Sequence, residues 1–223
     1  MDLDYQQKYN KYKKKYLDLK YKEYSGGLLD FIFNRKKYAL DTVGINGKAL
    51  QNFKDFQNDK DVVLAAVKQN GRALEHASHI LKEDREVVLA AVKQNGYVLQ
   101  DAGKLKTDRE VVLAAVSTYG NALEYAPPEL RDDRQIVLAA VKPYGNALLF
   151  ASNELKQDKK FILDVVKKDG LALQYASEKL RGDKDVVLAA IETNSDALRF
   201  ATNRIKKNTE IFKKIKELHN RYK

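Results

Sequence analysis

The stretch DREVVLAAVKQNG at residues 84–96 decides the fold, because variants of it recur along the chain. The shared phrase is D-[KR]-x-V-V-L-A-A-V-K-x-x-G-x-A-L-x-x-A-S-x-x-L-K, and its copies open at intervals of 25, 24, 25, 25 and 25 residues. The residues that open the six full copies are Asp59, Asp84, Asp108, Asp133, Asp158 and Asp183. A more divergent copy precedes the six full copies, and a half copy follows them. A fixed period of this length indicates a repeat architecture.

Each copy predicts two short helices followed by a final turn. The opening aspartate is a good N-cap residue, because its carboxylate accepts hydrogen bonds from the free N–H groups of the first helical turn. Gly71 and Gly120 predict the end of the first helix, with glycine in the left-handed conformation that follows many helices. The motif A-L-x-x-A then forms the second helix. The final turn begins at a serine or proline: Ser78, Pro127, Ser152 and Ser177.

The apolar run at residues 62–67 covers more than one face of its helix, so neighbours must cover that helix on two sides. Stacked repeats meet this requirement, since each repeat contacts the repeats before and after it. The paired alanines of each copy would let adjacent helices approach closely. The sequence therefore predicts an all-α fold, an α-solenoid of seven short two-helix repeats of 24–25 residues preceded by an N-terminal helix.

Four segments are expected along the chain. Residues 1–24 form a helix or leader rich in tyrosine and lysine, and residues 25–34 form a Gly-Gly hinge with an apolar N-terminal cap. Residues 35–207 form the repeat solenoid, and residues 208–223 form a basic C-terminal capping helix.

The net charge of +10 is concentrated at the two ends of the chain. Residues 1–24 carry seven lysines and four acidic residues, a net charge of +3, and residues 203–223 carry a net charge of +6. The body between them is close to neutral, at +1, which argues against a nucleic-acid clamp along the repeats. No cysteine is present, so disulfides, thiolate catalysis and cysteine-ligated zinc are excluded.

The repeat phrase resembles a family known only as a domain of unknown function, with members in giant DNA viruses of amoebae and in some intracellular bacteria. This resemblance covers about residues 35–207 and brings no established activity. Separately, the pattern Lys11-Tyr12, Lys15-Tyr16-Leu17 and Gly26-Gly27 resembles an N-terminal leader shared by many Mimivirus-type proteins. Together the two resemblances imply a giant-virus protein.

Two columns of side chains recur at the repeat period and are candidate contact sites. The first basic column comprises Lys60, Arg85, Arg109, Arg134, Lys159 and Lys184. Because a cation is unfavourable in a first helical turn, these side chains should pair with acidic residues of the neighbouring repeat, or with acidic or phosphate groups of a partner. The aromatic column comprises Tyr125, Phe150, Tyr175 and Phe200. It is either a core feature or a partner-binding platform of the C-terminal half.

Few residues suggest chemistry. Asp164 occupies an alanine position, and we expect its side chain at the edge of a helix seam, in contact with water. His76 and His79 have a spacing that two metal ligands could use, but no third ligand or H-E-x-x-H motif accompanies them. No nucleophile–base arrangement or phosphate-binding glycine loop is visible. We therefore expect no enzyme activity, no catalytic, cofactor-binding or metal-binding residues, and no small-molecule substrate.

The N-terminal leader has the most distinctive composition. Its seam residues Tyr5, Tyr9, Tyr12, Tyr16 and Leu19 follow a spacing typical of a heptad in a coiled coil. Such a helix could pair with a partner helix, lie on an anionic surface, contact nucleic acid through its lysines and tyrosines, or stay solvated. Gly26 and Gly27 are either a hinge or a processing site for a viral protease that cuts at Gly-Gly.

Two functions are compatible with these features. The first is a non-enzymatic protein–protein interaction scaffold whose repeats bind a protein partner. The alternative is a nucleic-acid-associated virion or factory protein that binds through its basic termini. No run of about 18 apolar residues is present, and no hydrophobic stretch follows the N-terminal charges. We therefore expect no membrane span and no secretion, and the resemblance to giant-virus proteins implies a location in the host cytoplasm, a viral factory or the virion.

Overall fold

The structure is a computed structural model that describes residues 28–142 and 145–221. These residues form helices and turns with no β-strand among them, so the predicted all-α repeat fold is confirmed. Each repeat contributes a long helix, a short 3-10 helix and a final turn, in that order. The helix predicted at residues 1–24 lies outside the described residues.

Seven repeats occur in the described residues, and the second predicted helix of each is a 3-10 helix. The long helices are Leu28–Ile45, Lys60–Gln69, Arg85–Gln94, Arg109–Thr118, Arg134–Val141, Lys159–Val166 and Lys184–Thr193. The 3-10 helices are Gly47–Asn52, Gly71–His76, Gly96–Asp101, Gly120–Tyr125, Gly145–Phe150, Gly170–Tyr175 and Ser195–Phe200. The final turns are Lys54–Phe56, His79–Lys82, Gly103–Thr107, Pro128–Arg131, Asn153–Gln157, Glu178–Arg181 and Asn203–Lys206. A C-terminal helix, Thr209–Arg221, follows them.

The chain forms two compact units, whose boundary in the sequence lies between Leu105 and Lys106. Within each unit, the long helix of one repeat packs against the long helix of the next. The boundary falls where the repeat period shortens by one residue. The shortened final turn, Gly103–Thr107, is a 3-10 helix, and it begins at Gly103 with a positive φ of 51°.

Aspartate caps begin the long helices of the six full copies, as the sequence predicts. The Oδ1 atom of Asp84 accepts hydrogen bonds from the backbone N–H groups of Glu86 and Val87, at 3.0 and 3.2 Å. The other opening aspartates cap their helices through the same kind of bond. Asparagine plays this role for several 3-10 helices, as where Asn95 accepts from the N–H of Tyr97 at 3.1 Å. The repeat phrase therefore specifies where these helices begin.

Neighbouring repeats bury the long helix on two sides, as its apolar run predicts. In the second repeat, Val62, Val63, Ala66 and Val67 have no exposed surface, whereas residues 64–65 are partly exposed. Only the second alanine of each pair therefore lies in the seam between helices. These second alanines, all fully buried, are Ala66, Ala91, Ala115, Ala140 and Ala190.

The predicted conformation of the repeat glycines is wrong. Among the described residues, only Gly103 has a positive φ, so Gly71 and Gly120 are not left-handed. Each of them begins a 3-10 helix that lies directly against the long helix of the next repeat. A Cβ atom on Gly120 would lie 2.2 Å from the carbonyl oxygen of Ala140. Glycine is required here because two backbones approach closely, and not because the chain reverses.

A single helix, Leu28–Ile45, begins the described part of the chain. The boundary predicted between residues 34 and 35 falls inside this helix. The predicted apolar cap and the first repeat are therefore one element. In this divergent first repeat, Lys36 stands at the position that the first basic column occupies in the full copies. Its Nζ lies 2.9 Å from Asp59 and 2.7 Å from Asp61.

The C-terminal helix packs against the long helix of the seventh repeat. It begins after Asn208, which accepts a hydrogen bond from the N–H of Glu210 at 2.9 Å. Ile211 is fully buried, but Phe212 is 69% exposed. Phe212 occupies the position of the buried Val63, but no repeat among the described residues lies over it. The half copy thus covers one side of the seventh repeat.

Substitution of Asp133 should separate helix capping from ion pairing. Its Oδ1 accepts from the N–H groups of Gln135 and Ile136, while its Oδ2 contacts Nε of Arg109 at 2.8 Å. Asparagine also caps helices well, so Asp133→Asn should lower the free energy of unfolding by only about 0.5 kcal/mol, the usual worth of an exposed ion pair. Asp133→Ala loses both contacts and should cost about 2 kcal/mol.

Urea unfolding followed by circular dichroism measures both changes. Asp164→Ala is the matched control, because Asp164 is exposed within a long helix of the same unit. Alanine there should leave stability unchanged or raise it by about 0.5 kcal/mol through its helix propensity. Equal losses for the two Asp133 variants would contradict the capping role.

Candidate interaction surface

The first basic column pairs with acidic residues of the following repeat. Nζ of Lys60 lies 2.8 Å from both Asp84 and Glu86. In the second unit, pairs of the same kind join Arg109 to Asp133, Arg134 to Asp158, Lys159 to Asp183 and Asp185, and Lys184 to Glu210. The predicted inter-repeat pairing is therefore confirmed at these positions. At these positions, acidic residues of the following repeat balance the positive charges of the column.

The opening aspartates use their two carboxylate oxygens for different contacts. In Asp84, Oδ1 caps the helix while Oδ2 accepts a hydrogen bond from Lys60 at 2.8 Å. This bond lowers the pKa of the Asp84 carboxyl below its ordinary value, and the bond from Arg109 does the same for Asp133. Helix capping and repeat stacking are thus coupled through single side chains.

The aromatic column lies at the ends of 3-10 helices in the second unit. Tyr125, Phe150, Tyr175 and Phe200 are each the last residue of such a helix. All four are partly buried, so they are neither core residues nor fully exposed ones. At Phe200, the guanidinium carbon of Arg199 lies 4.5 Å from the ring centre, a cation–π contact.

A second basic column runs beside the aromatic one. It is the residue that follows the last leucine or isoleucine of each final turn: Lys82, Lys106, Arg131, Lys156, Arg181 and Lys206. Sequence reasoning overlooks it, because a lysine or arginine at the end of a helical turn is ordinary. The only signal is that the closing K of the repeat phrase is basic in every full copy.

Two hydrogen bonds show how close the two columns are. Nζ of Lys156 donates to the carbonyl oxygen of Leu149 at 2.6 Å. Nζ of Lys206 donates to the carbonyl oxygen of Arg199 at 2.9 Å. Leu149 and Arg199 immediately precede the aromatic residues of their repeats. Each ammonium group therefore lies beside the peptide bond that leads into an aromatic side chain.

The second basic column lacks the carboxylate partners of the first. In the described part of the second unit, Arg131, Lys156, Arg181 and Lys206 form no ion pair. Nε of Arg181 is buried without a hydrogen-bond partner there. Burial, and then the charge of Arg131, lower the pKa of Lys156. These positive charges are therefore not balanced within the unit.

Leu149 breaks the pattern of its position. It is 53% exposed, and its counterparts in the neighbouring repeats are polar. Those counterparts are Glu75, Gln100, Glu124, Gln174 and Arg199. A large apolar side chain is exposed beside Phe150 and Lys156, at a position that is polar in the neighbouring repeats. Departures of this kind from the repeat pattern are common at contact sites.

The structure places Asp164 and the two histidines outside any chemical centre. Asp164 is exposed, as expected for a side chain at the edge of a seam. His76 lies 3.1 Å from Glu75, and the mostly exposed His79 lies 3.6 Å from Glu83. Among the described residues, no group of three or more potential ligands is arranged to hold a metal ion.

The leader residues lie outside the described part of the chain. Tyr5, Tyr9, Tyr12, Tyr16 and Leu19, together with Gly26 and Gly27, all precede residue 28. Their roles in partner binding and in processing stay predictions. No helix among the described residues combines the length and apolarity needed to cross a lipid bilayer.

A cleft of about 590 Å³ is present in the first repeat. Tyr38 and Phe53 contact each other edge to face in its wall, at 5.7 Å between ring centres. Arg35 forms an ion pair with Asp55 in the same wall. These residues hold the 3-10 helix of the first repeat against the helix Leu28–Ile45.

Four stretches of the chain match the family described as a domain of unknown function, DUF4116. The matched residues are 36–82, 64–106, 108–156 and 158–206. No curated protein and no solved structure matches the chain. The matches together span most of the chain and follow the repeats, which confirms the resemblance to a repeat family of unknown function. The chain therefore belongs to the DUF4116 family.

Proposed function

We propose that this protein is a non-enzymatic protein–protein interaction scaffold, and that it is a giant-virus protein acting in the host cytoplasm, a viral factory or the virion. The observation that carries the scaffold function is the contrast between the two basic columns. In the second unit the first column pairs with the next repeat, whereas the second column forms no ion pair among the described residues and lies beside partly accessible aromatic residues. Stacked repeats commonly present such a surface to protein partners. The resemblance of the leader to Mimivirus-type proteins supports the viral origin.

Capture on the immobilised full chain tests the scaffold function. Nuclease-treated lysate of infected host cells should yield a reproducible protein partner, and that partner, once purified, should bind the chain with a saturable stoichiometry in calorimetry. An unrelated protein of equally basic composition is the control for charge alone. Repeated captures that retain no protein beyond this control would overturn the proposal.

Nucleic-acid association through the basic termini is the second candidate. The C-terminal helix favours it, because exposed Lys213 and Lys216 lie near Phe212, which is 69% exposed. In that case the wild-type chain would retain single-stranded nucleic acid, and retention would fall steeply as salt rises. Replacing both lysines with glutamine would weaken it, while the protein capture would be unchanged.

A further inference from the structure

We propose that the second unit binds an acidic protein segment on one face, which we call the basic–aromatic face. This face consists of the aromatic column, Leu149, and the four residues Arg131, Lys156, Arg181 and Lys206 of the second basic column. The inference rests on the proposed scaffold function and adds the chemistry of the partner.

Backbone hydrogen bonds between repeats fix the spacing of the cations. The carbonyl oxygen of Arg131 accepts from the N–H of Ser152 at 2.9 Å, and that of Lys156 accepts from the N–H of Ser177 at 3.0 Å. The carbonyl of Arg181 accepts from Thr202 in the same way, at 3.0 Å. The cations therefore recur once per repeat, at the helix packing distance of about 8–10 Å.

The positive charges of this face favour a partner that carries carboxylates. Four cations in successive repeats have no acidic partner in the unit, although four of its other cations pair with aspartate or glutamate at the next repeat. A carboxylate oxygen is the acceptor that arginine binds best, because its geometry matches the guanidinium group. Partner carboxylates would thus balance these charges.

Apolar contacts complement the charges at the centre of the face. Leu149 is 53% exposed and adjoins Phe150, which is partly accessible. Aromatic and arginine side chains at the centre of an interface supply much of the binding free energy when a partner excludes water from them. The partner segment should therefore carry apolar side chains between its carboxylates.

Negative charge in the same final turns favours a protein partner over a nucleic acid. Exposed Glu129, Glu154 and Glu178 lie two or three residues before Arg131, Lys156 and Arg181. A nucleic acid carries a negative charge at every phosphate and would meet these glutamates as well as the cations. A protein can place carboxylates against the cations and neutral or basic groups against the glutamates.

The repeat spacing predicts the spacing of the partner's carboxylates. Seven residues of an α-helix rise about 10.5 Å, and three residues of an extended polyproline II chain, which return the side chain to the same side, span about 9 Å. A matching segment would therefore carry a glutamate or aspartate at every seventh helical position or every third extended position.

Fluorescence anisotropy with labelled synthetic peptides tests the proposal on the full chain. One probe is a helical peptide with glutamate at every seventh position, and the other is an extended peptide with glutamate at every third, both with leucine between. Peptides with glutamine in place of glutamate and an oligothymidylate are the reference probes. At least one acidic peptide should bind more tightly than its glutamine version and than the oligothymidylate.

Variants of the chain locate the binding. The face variant carries Arg131→Gln, Lys156→Gln, Arg181→Gln and Lys206→Gln. The matched control loses the same charge at exposed lysines of the same unit, with glutamine at Lys142, Lys160, Lys167 and Lys168. The face variant should weaken peptide binding by about tenfold or more, and the control by less than about twofold. Leu149→Glu should also weaken it about tenfold while circular dichroism stays unchanged, since this side chain is exposed.

The outcomes separate this inference from the scaffold function. Failure of both acidic peptides to bind, or equal weakening by the face and control variants, would overturn the face. Tighter binding of the oligothymidylate, lost in the face variant, would assign the face to nucleic acid instead. A protein partner captured equally by the wild type and the face variant would leave the scaffold function standing without this face.

Discussion

Replacing Gly120 with alanine should destabilise the second unit by about 3 kcal/mol, because the new Cβ has no room. It would lie 2.2 Å from the carbonyl oxygen of Ala140 and 3.2 Å from the carbonyl carbon. Both atoms belong to the backbone of the next long helix, so no side-chain rotation can relieve the clash. The two repeats would have to separate, which would loosen the fully buried Leu123 and Val137.

Two other glycine substitutions serve as controls for Gly120→Ala. A Cβ on Gly44, near the end of Leu28–Ile45, meets nothing within 4 Å, so Gly44→Ala should stabilise by up to about 1 kcal/mol through helix propensity. Gly103 is equally open but has a positive φ of 51°, so Gly103→Ala should cost about 1 kcal/mol of backbone strain. Denaturant unfolding of the three variants gives their free energies of unfolding and so the order of their stabilities. A Gly120 variant as stable as the wild type would contradict the close approach of the two backbones.

Truncating Phe161 to alanine should lower the free energy of unfolding by about 4 kcal/mol. Phe161 is the largest fully buried side chain among the described residues, and it stands where the other full copies have valine or isoleucine. Its ring also lies 5.1 Å from the guanidinium carbon of Arg134. Removing the ring leaves a cavity between stacked repeats and takes away a contact of the first basic column.

Phe212→Ala is the matched control for Phe161→Ala, because it removes the same atoms from a side chain that is 69% exposed. It should change the stability by no more than about 0.5 kcal/mol. Phe161→Val restores the residue type of the other repeats and should lose about 2 kcal/mol, since part of the cavity remains. Guanidinium or urea unfolding compares the three variants. Similar losses at residues 161 and 212 would show that the ring at 161 is not a core side chain.

Local signals made much of the fold predictable. Asp84 marks its helix start because capping involves only the next three residues, and this requirement repeats in every full copy. The run at residues 62–67 indicates burial on two sides because side-chain direction follows from the helical period alone. The pairing of Lys60 with the next repeat could also be predicted, since a cation at that position opposes the helix dipole and needs a partner.

Contacts between repeats account for what the sequence did not reveal. The role of Gly120 depends on the position of the Ala140 carbonyl, twenty residues further along the chain. The repeat phrase does not specify how closely these two backbones approach in space. The repeat phrase also does not specify that one helix, Leu28–Ile45, continues through residue 34.

The candidate site shows the same division between sequence and structure. The sequence alone determined the repeat period, the caps and the first basic column, because these features depend on residues close along the chain. Only the tertiary structure decided that Lys156 lies beside the peptide before Phe150, that Leu149 is exposed, and that Arg131, Lys156, Arg181 and Lys206 form no ion pair among the described residues. The physical reason is that accessibility and charge balance depend on how the 3-10 helices and final turns pack against the neighbouring repeats. A repeating sequence indicates that the repeats stack, but it does not indicate which side chains this packing leaves exposed or without an ion pair.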